Sequence, residues 1–101
     1  MHLVQKPLER QVIVITGATS GIGLATAKLA VGKGAAVFLV SRDREAMARL
    51  VAEFEAGGGR AGFAVADVGV DAEIRNAAQA AISQFCHFDT WINNAGTAVY
   101  S

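Results

Sequence analysis

The 101-residue sequence holds one cysteine, one proline, one tryptophan, one tyrosine and two histidines, and its nine basic and nine acidic residues leave no net formal charge. Each scarcity closes off a class of protein. A lone cysteine, Cys86, cannot form an internal disulfide, so a disulfide-stapled secreted scaffold is excluded and a reducing, cytoplasmic setting is expected. His2 and His87 are isolated, and no Cys/His/acid cluster has metal-ligand spacing, so no metal site is expected. Balanced charge offers nothing to nucleic acid or to an anionic membrane surface. No apolar run approaches the ~20 residues of a bilayer span, and the opening MHLVQKPLER lacks the apolar stretch of a signal peptide. What is abundant is apolar surface, 52% of residues against 18% charged, together with eleven glycines. That is the composition of one small globular domain.

The glycines are placed with purpose. Val12 to Ile15 are four apolar β-formers, and they run directly into Thr16-Gly17-Ala18-Thr19-Ser20-Gly21-Ile22-Gly23 and then a helical pattern. A buried strand, a glycine-rich turn and a helix start together make a phosphate site, because the helix N-terminus presents unpaired N–H groups and a partial positive charge. The spacing is G-x-x-x-G-x-G. It differs from G-x-G-x-x-G and lacks the Gly-Lys-Ser/Thr end of a P-loop. By analogy with the dinucleotide fingerprint, Gly17 makes the turn, Gly21 admits a pyrophosphate and Gly23 lets the helix approach the strand, while Thr19 and Ser20 add hydroxyl donors.

Further along, the pattern alternates. Residues 1–11 read as an irregular lead-in and 12–101 as the domain. Strands are expected at about 12–16, 36–40, 61–66 and 90–93. Helices are expected at about 21–33, 43–56 and 71–85, with Asp43 and Asp71 as candidate N-caps. The continuous apolar run at 36–40 fits a strand covered on both faces. Ala25, Ala27 and Ala30 suit close packing of the first helix. Met47, Leu50, Val51 and Phe54 form a core stripe, and Ile74, Ala77, Ala78, Ala81, Ile82 and Phe85 form another. Trp91 is also expected in the core. The order β-α-β-α-β-α-β with right-handed crossovers predicts an α/β fold: a Rossmann-like, doubly wound parallel sheet with strand order 3-2-1-4, the first two helices on one face and the third on the other. Only one half of such a fold is present, so the chain is expected to be a fragment or truncated product of something longer.

Thr16-Gly-Ala-Thr-Ser-Gly-Ile-Gly23 resembles the cofactor loop of the short-chain dehydrogenase/reductase family, and Asn93-Asn-Ala-Gly96 resembles that family's second motif. The resemblance runs from about Val12 to Gly96. It implies an NAD(P)-dependent oxidoreductase that moves hydride between a nicotinamide and an alcohol or carbonyl. In its full-length form this would be a homo-oligomer acting on a small molecule. The cofactor-binding set is then Gly17, Thr19, Ser20, Gly21, Ile22 and Gly23 in the loop, Ser41 and Arg42 after the second strand, Asp67 and Val68 after the third, and Asn94, Ala95 and Gly96 after the fourth. Ser41 stands where a ribose-binding carboxylate would favour NAD(H), and Arg42 can grip a 2′-phosphate with two hydrogen bonds, so NADP(H) is preferred and NAD(H) remains possible. The alternative is that Arg42 is simply solvated.

Resemblance implies that Asp67 and the Val68 N–H border the adenine; the alternative is an aspartate that caps a turn. It implies that Asn94, Ala95 and Gly96 pass the ribose and nicotinamide with their backbones, while Asn93 ties strands together. The family's Tyr-x-x-x-Lys pair has no match, because Tyr100 is followed only by Ser101. No catalytic residue is assigned, and the chain alone is expected to be inactive. A non-catalytic nucleotide-binding or regulatory module is the competing reading.

Overall fold

The computed structural model describes residues 7–94. Four strands, β1 (Val12–Thr16), β2 (Ala36–Ser41), β3 (Ala61–Val65) and β4 (Thr90–Asn93), alternate with three helices, α1 (Gly21–Gly32), α2 (Arg44–Ala56) and α3 (Asp71–Phe85). The strands form one parallel sheet in the order β3-β2-β1-β4. β1 is central, and its five residues are all buried. That explains the unbroken apolar run Val12 to Ile15, since side chains on both faces meet helices.

Register decides which helix each strand residue meets. Val14 pairs with Phe38, and Ile15 with Leu39. Ile13, Ile15, Val37 and Leu39 pack with Ala27 and Ala30 of α1 and with Met47 and Phe54 of α2. Val14, Phe38 and Val40 pack on the opposite face with Ala77 and Ala81 of α3. The first two helices therefore share one face, and the third lies on the other, as right-handed crossovers require. Phe85 meets Phe38 edge-on at 6.4 Å between ring centroids, and Trp91 lies half-buried against this second cluster.

Several local expectations are revised. β2 extends to Ser41, which pairs with Val65, and β3 ends at Val65 rather than Ala66. Ala25 is exposed, and the buried edge of α1 is Gly23, Ala27 and Ala30. The outer face of α1 carries Ile22 and Leu29, 78% and 62% exposed. Ile82 is likewise exposed, because it points outward from α3. Asp71 is the first helical residue of α3 and Val70 holds the N-cap position, whereas Asp43 caps α2 by accepting from the Ala46 N–H at 3.1 Å. Leu8–Arg10 form a 3₁₀ turn instead of an irregular lead-in. Leu8 packs on the first cluster, and Arg60 Nη2 donates to the Glu9 and Gly34 carbonyls.

Candidate functional site

The carboxyl ends of all four strands open onto one edge of the sheet. β1 connects to β2 on one side and pairs with β4 on the other, so the chain reverses direction across the sheet beside β1. In parallel α/β sheets this switch point is where ligands bind. The loop after β1 occupies it.

That loop is shaped by its glycines. Gly17 leaves the strand with φ +65°, and its N–H donates to the Val40 carbonyl at 3.0 Å, so the turn is fastened to β2. Ala18 is wholly buried beneath it. Gly23 lies in the first turn of α1, directly against this turn: a Cβ there would collide with the Gly17 carbonyl oxygen and stand 3.1 Å from the Ala18 Cα. Gly21 is different. It has φ +58°, and a Cβ on it would meet nothing within 4 Å. Gly23 thus sets how closely helix meets strand, and Gly21 borders open space at the helix entrance.

Ser20 is the N-cap of α1, yet its side chain makes no capping hydrogen bond and the first turn contains no acidic residue. The other two helices are compensated: Asp43 caps α2 with Glu45 in the first turn, and α3 begins with Asp71 and Glu73. A helix N-terminus carries about half a positive charge. Of the three helices, only α1 leaves it without a carboxylate, and does so at the switch point behind a glycine loop. Its entrance fits an anionic phosphate, with Thr19 half-buried and Ser20 exposed beside it.

The remaining strand ends bring together residues distant in sequence. Ser41 Oγ accepts from the Asp43 N–H at 3.0 Å. Arg42, well exposed, lies with Nη1 3.9 Å from Asp67 Oδ2, so the specificity candidate after β2 and the adenine candidate after β3 are neighbours. Asp67 Oδ1 accepts from the Gly69 N–H at 2.9 Å, so Asp67 does cap a turn, while Oδ2 faces Arg42. Val68 is half-buried in that turn.

Across β1, the buried Thr16 hydroxyl donates to Asn93 Oδ1 at 2.7 Å and accepts from the Asn94 N–H at 3.0 Å. Asn93 therefore ties β4 to β1, and the Asn94 N–H is committed within the protein. The signal for this role in the sequence is a polar residue ending an apolar strand. Glu73 joins the site as well: the Asp67 N–H donates to its Oε1 at 2.7 Å. Ala95, Gly96 and Tyr100 lie outside the described residues. His87 Nε2 lies 3.1 Å from Asp89 Oδ2, which also accepts from the Val12 N–H at 2.8 Å, so this histidine sits at the amino end of the sheet, away from the loop. Among the described residues, no group of three or more His, Cys, Asp or Glu side chains converges, and no helix is long and apolar enough to cross a membrane.

A cavity of about 420 Å³ lies at the opposite end of the sheet, among Lys28, Glu53, Phe54 and Gly57 to Gly59, where α1 and α2 finish. Helix C-termini carry partial negative charge, so this cavity is the wrong end for a phosphate. The glycine loop is the better candidate, because it has both the shape and the field.

A doubly wound parallel sheet with a glycine-turned loop and an uncompensated helix N-terminus at its switch point defines a Rossmann-like, dinucleotide-binding class of domain. Comparison with known proteins narrows this. Residues 11–101 match the family described as short chain dehydrogenase, and the chain belongs to that family of oxidoreductases. It is 47% identical over 95 residues to the uncharacterized oxidoreductase YxnA of Bacillus subtilis, covering 94% of this chain and 27% of that protein. Among solved structures it is similar to a blue fluorescent protein from a metagenomic library in complex with NADPH (TM-score 0.84, 33% identity, covering 90% of this chain and 38% of that one). It is also similar to a short-chain dehydrogenase/reductase from Burkholderia phymatum in complex with NAD (TM-score 0.80, 31% identity, covering 86% and 31%). The chain thus spans well under half the length of these relatives.

Proposed function

We propose that these residues form the cofactor-binding part of an NADP(H)-dependent oxidoreductase acting on an alcohol or carbonyl. The observation that carries the reading is the uncompensated N-terminus of α1, bordered by the open space at Gly21. When bound, the nicotinamide supplies or receives the hydride. The chain's own residues hold the cofactor. Gly21, Ile22 and Gly23 offer backbone N–H groups to the pyrophosphate, with the Thr19 and Ser20 hydroxyls beside them. Arg42 and Ser41 take the 2′-phosphate, and Asp67 and Val68 border the adenine. Asn94, with Ala95 and Gly96 beyond it, lines the way to the nicotinamide through backbone carbonyls and the remaining N–H groups, since the Asn94 N–H is held by Thr16.

Arg42 and Ser41 favour NADP(H), a guanidinium being suited to a phosphate, and leave NAD(H) as a weaker ligand. The proton donor and acceptor for the substrate oxygen are assigned to residues outside these 101. A cytoplasmic setting and a homo-oligomeric full-length form complete the proposal. The test is calorimetric titration of the full-length protein with NADPH and NADH. Saturable binding with NADPH tighter is expected, and absence of binding to either would remove the reading. A second reading is a nucleotide-binding module with no reaction of its own, since Rossmann-like domains serve many functions. Tight NADPH binding without hydride transfer to any carbonyl by the full-length protein would select it.

A further inference from the structure

The first turn of α3 contains a carboxylate that also serves the turn preceding the helix. With Val70 at the N-cap, Glu73 occupies the third helical position, from which a glutamate ordinarily reaches back to the N-cap N–H. Here it reaches farther. The Asp67 N–H, six residues back, donates to Glu73 Oε1 at 2.7 Å. This N–H is the first beyond the β3 ladder, whose continuation ends where the Ala66 N–H donates to the Ser41 carbonyl at 2.9 Å. The same turn is closed by the Gly69 N–H on Asp67 Oδ1 at 2.9 Å and by the Val70 N–H on the Asp67 carbonyl at 3.0 Å. Asp67 is thereby held at its N–H, its carbonyl and one carboxylate oxygen, and its other oxygen is left facing Arg42.

We infer that Glu73 is a positioning residue for the adenosine end of the cofactor, fixing the strand-to-helix turn so that Asp67 Oδ2 and the Val68 N–H keep a set direction. The inference rests on the cofactor reading above. Glu73 makes no cofactor contact itself; it acts through the Asp67 backbone. An acceptor oxygen is what the position requires, and glutamine supplies one without the charge.

The experiment compares Glu73→Ala and Glu73→Gln with wild type in the full-length protein. Affinity is measured by calorimetry for NADPH, for adenosine 2′,5′-bisphosphate and for reduced nicotinamide mononucleotide, and amide exchange is followed at Asp67. Glu73→Ala should weaken NADPH and the adenosine bisphosphate by about tenfold, the scale of one lost charge-assisted hydrogen bond, and should speed exchange at Asp67. Glu73→Gln should recover most of that affinity, and the mononucleotide should bind all three proteins alike. A purely stabilising role would weaken both halves of the cofactor together or neither, and either result overturns the inference. If wild type binds NADPH and Glu73→Ala binds it equally well, only the role of Glu73 falls. If wild type binds no nucleotide, the cofactor reading falls and takes this role with it.

Discussion

Two glycines two residues apart should respond to the same substitution in opposite ways. Replacing Gly23 with alanine puts a methyl group into the Gly17 carbonyl. The obstructing atoms are backbone, so no rotamer change relieves the contact and α1 must move away from the β1 loop. Overpacking typically costs about 1–3 kcal/mol, and a rigid backbone obstacle places Gly23→Ala near the upper figure, about 3 kcal/mol. Replacing Gly21 meets no atoms within 4 Å. Its cost is that of holding a Cβ at φ +58°, about 1 kcal/mol, the lower end for a left-handed residue. The added methyl nevertheless enters the space assigned to the pyrophosphate. Losing two charge-assisted hydrogen bonds at roughly 1.5 kcal/mol each lowers affinity by about a hundredfold. Alanine is preferable to valine here, because a β-branched residue at positive φ would add strain that obscures binding. Urea unfolding and NADPH titration of both variants in the full-length protein separate the effects. Gly21→Ala should keep near-native stability and lose binding, whereas Gly23→Ala should lose stability first. Wild-type NADPH affinity in folded Gly21→Ala would show that the phosphates sit elsewhere, and an undiminished urea midpoint for Gly23→Ala would refute the close contact of α1 with the loop.

Other perturbations test separate parts of the site. Arg42→Ala should weaken NADPH by about tenfold, from the loss of a charged hydrogen-bond donor, and leave NADH unchanged; equal losses in parallel titrations would take Arg42 out of the specificity role. Thr16→Val should destabilise by about 1–3 kcal/mol by leaving the part-buried Asn94 N–H without its hydroxyl acceptor, and Thr16→Ser should restore most of it; a urea series in which valine and serine behave alike would show that the hydroxyl contributes nothing. The 101-residue chain purified alone should reduce no member of a carbonyl panel with NADPH, because a proton donor within reach of the substrate oxygen is required, and steady-state turnover by it would point to an unrecognised acid among these residues.

The elements were legible because their signals are local. Three largely apolar runs and a short fourth strand, separated by helical stripes, give the strand–helix alternation, and handedness then leaves few ways to order the sheet. The Asp43 cap was readable for the same reason, since its partner is three residues away. α1 was harder to read. It is apolar on nearly every side, so periodicity gave it no direction, and Ala25 looked as suitable for burial as Ala27. Close approach to the Gly17 turn decided the matter by burying the edge that carries Gly23.

The site divides along the same line. The glycine loop and its helix form one continuous stretch, so the glycine-turned connection from β1 to α1 was readable from sequence alone. That Thr16 holds Asn93 and Asn94, seventy-seven and seventy-eight positions away, followed only once β4 paired with β1. The approach of Arg42 to Asp67 followed from β2 and β3 ending side by side. Glu73 looked like an ordinary acidic residue at a helix start, which the dipole alone would explain. Only the turn after β3 brought the Asp67 N–H within its reach, because a hydrogen bond across six residues depends on backbone dihedral angles that no residue pattern in 67–73 specifies.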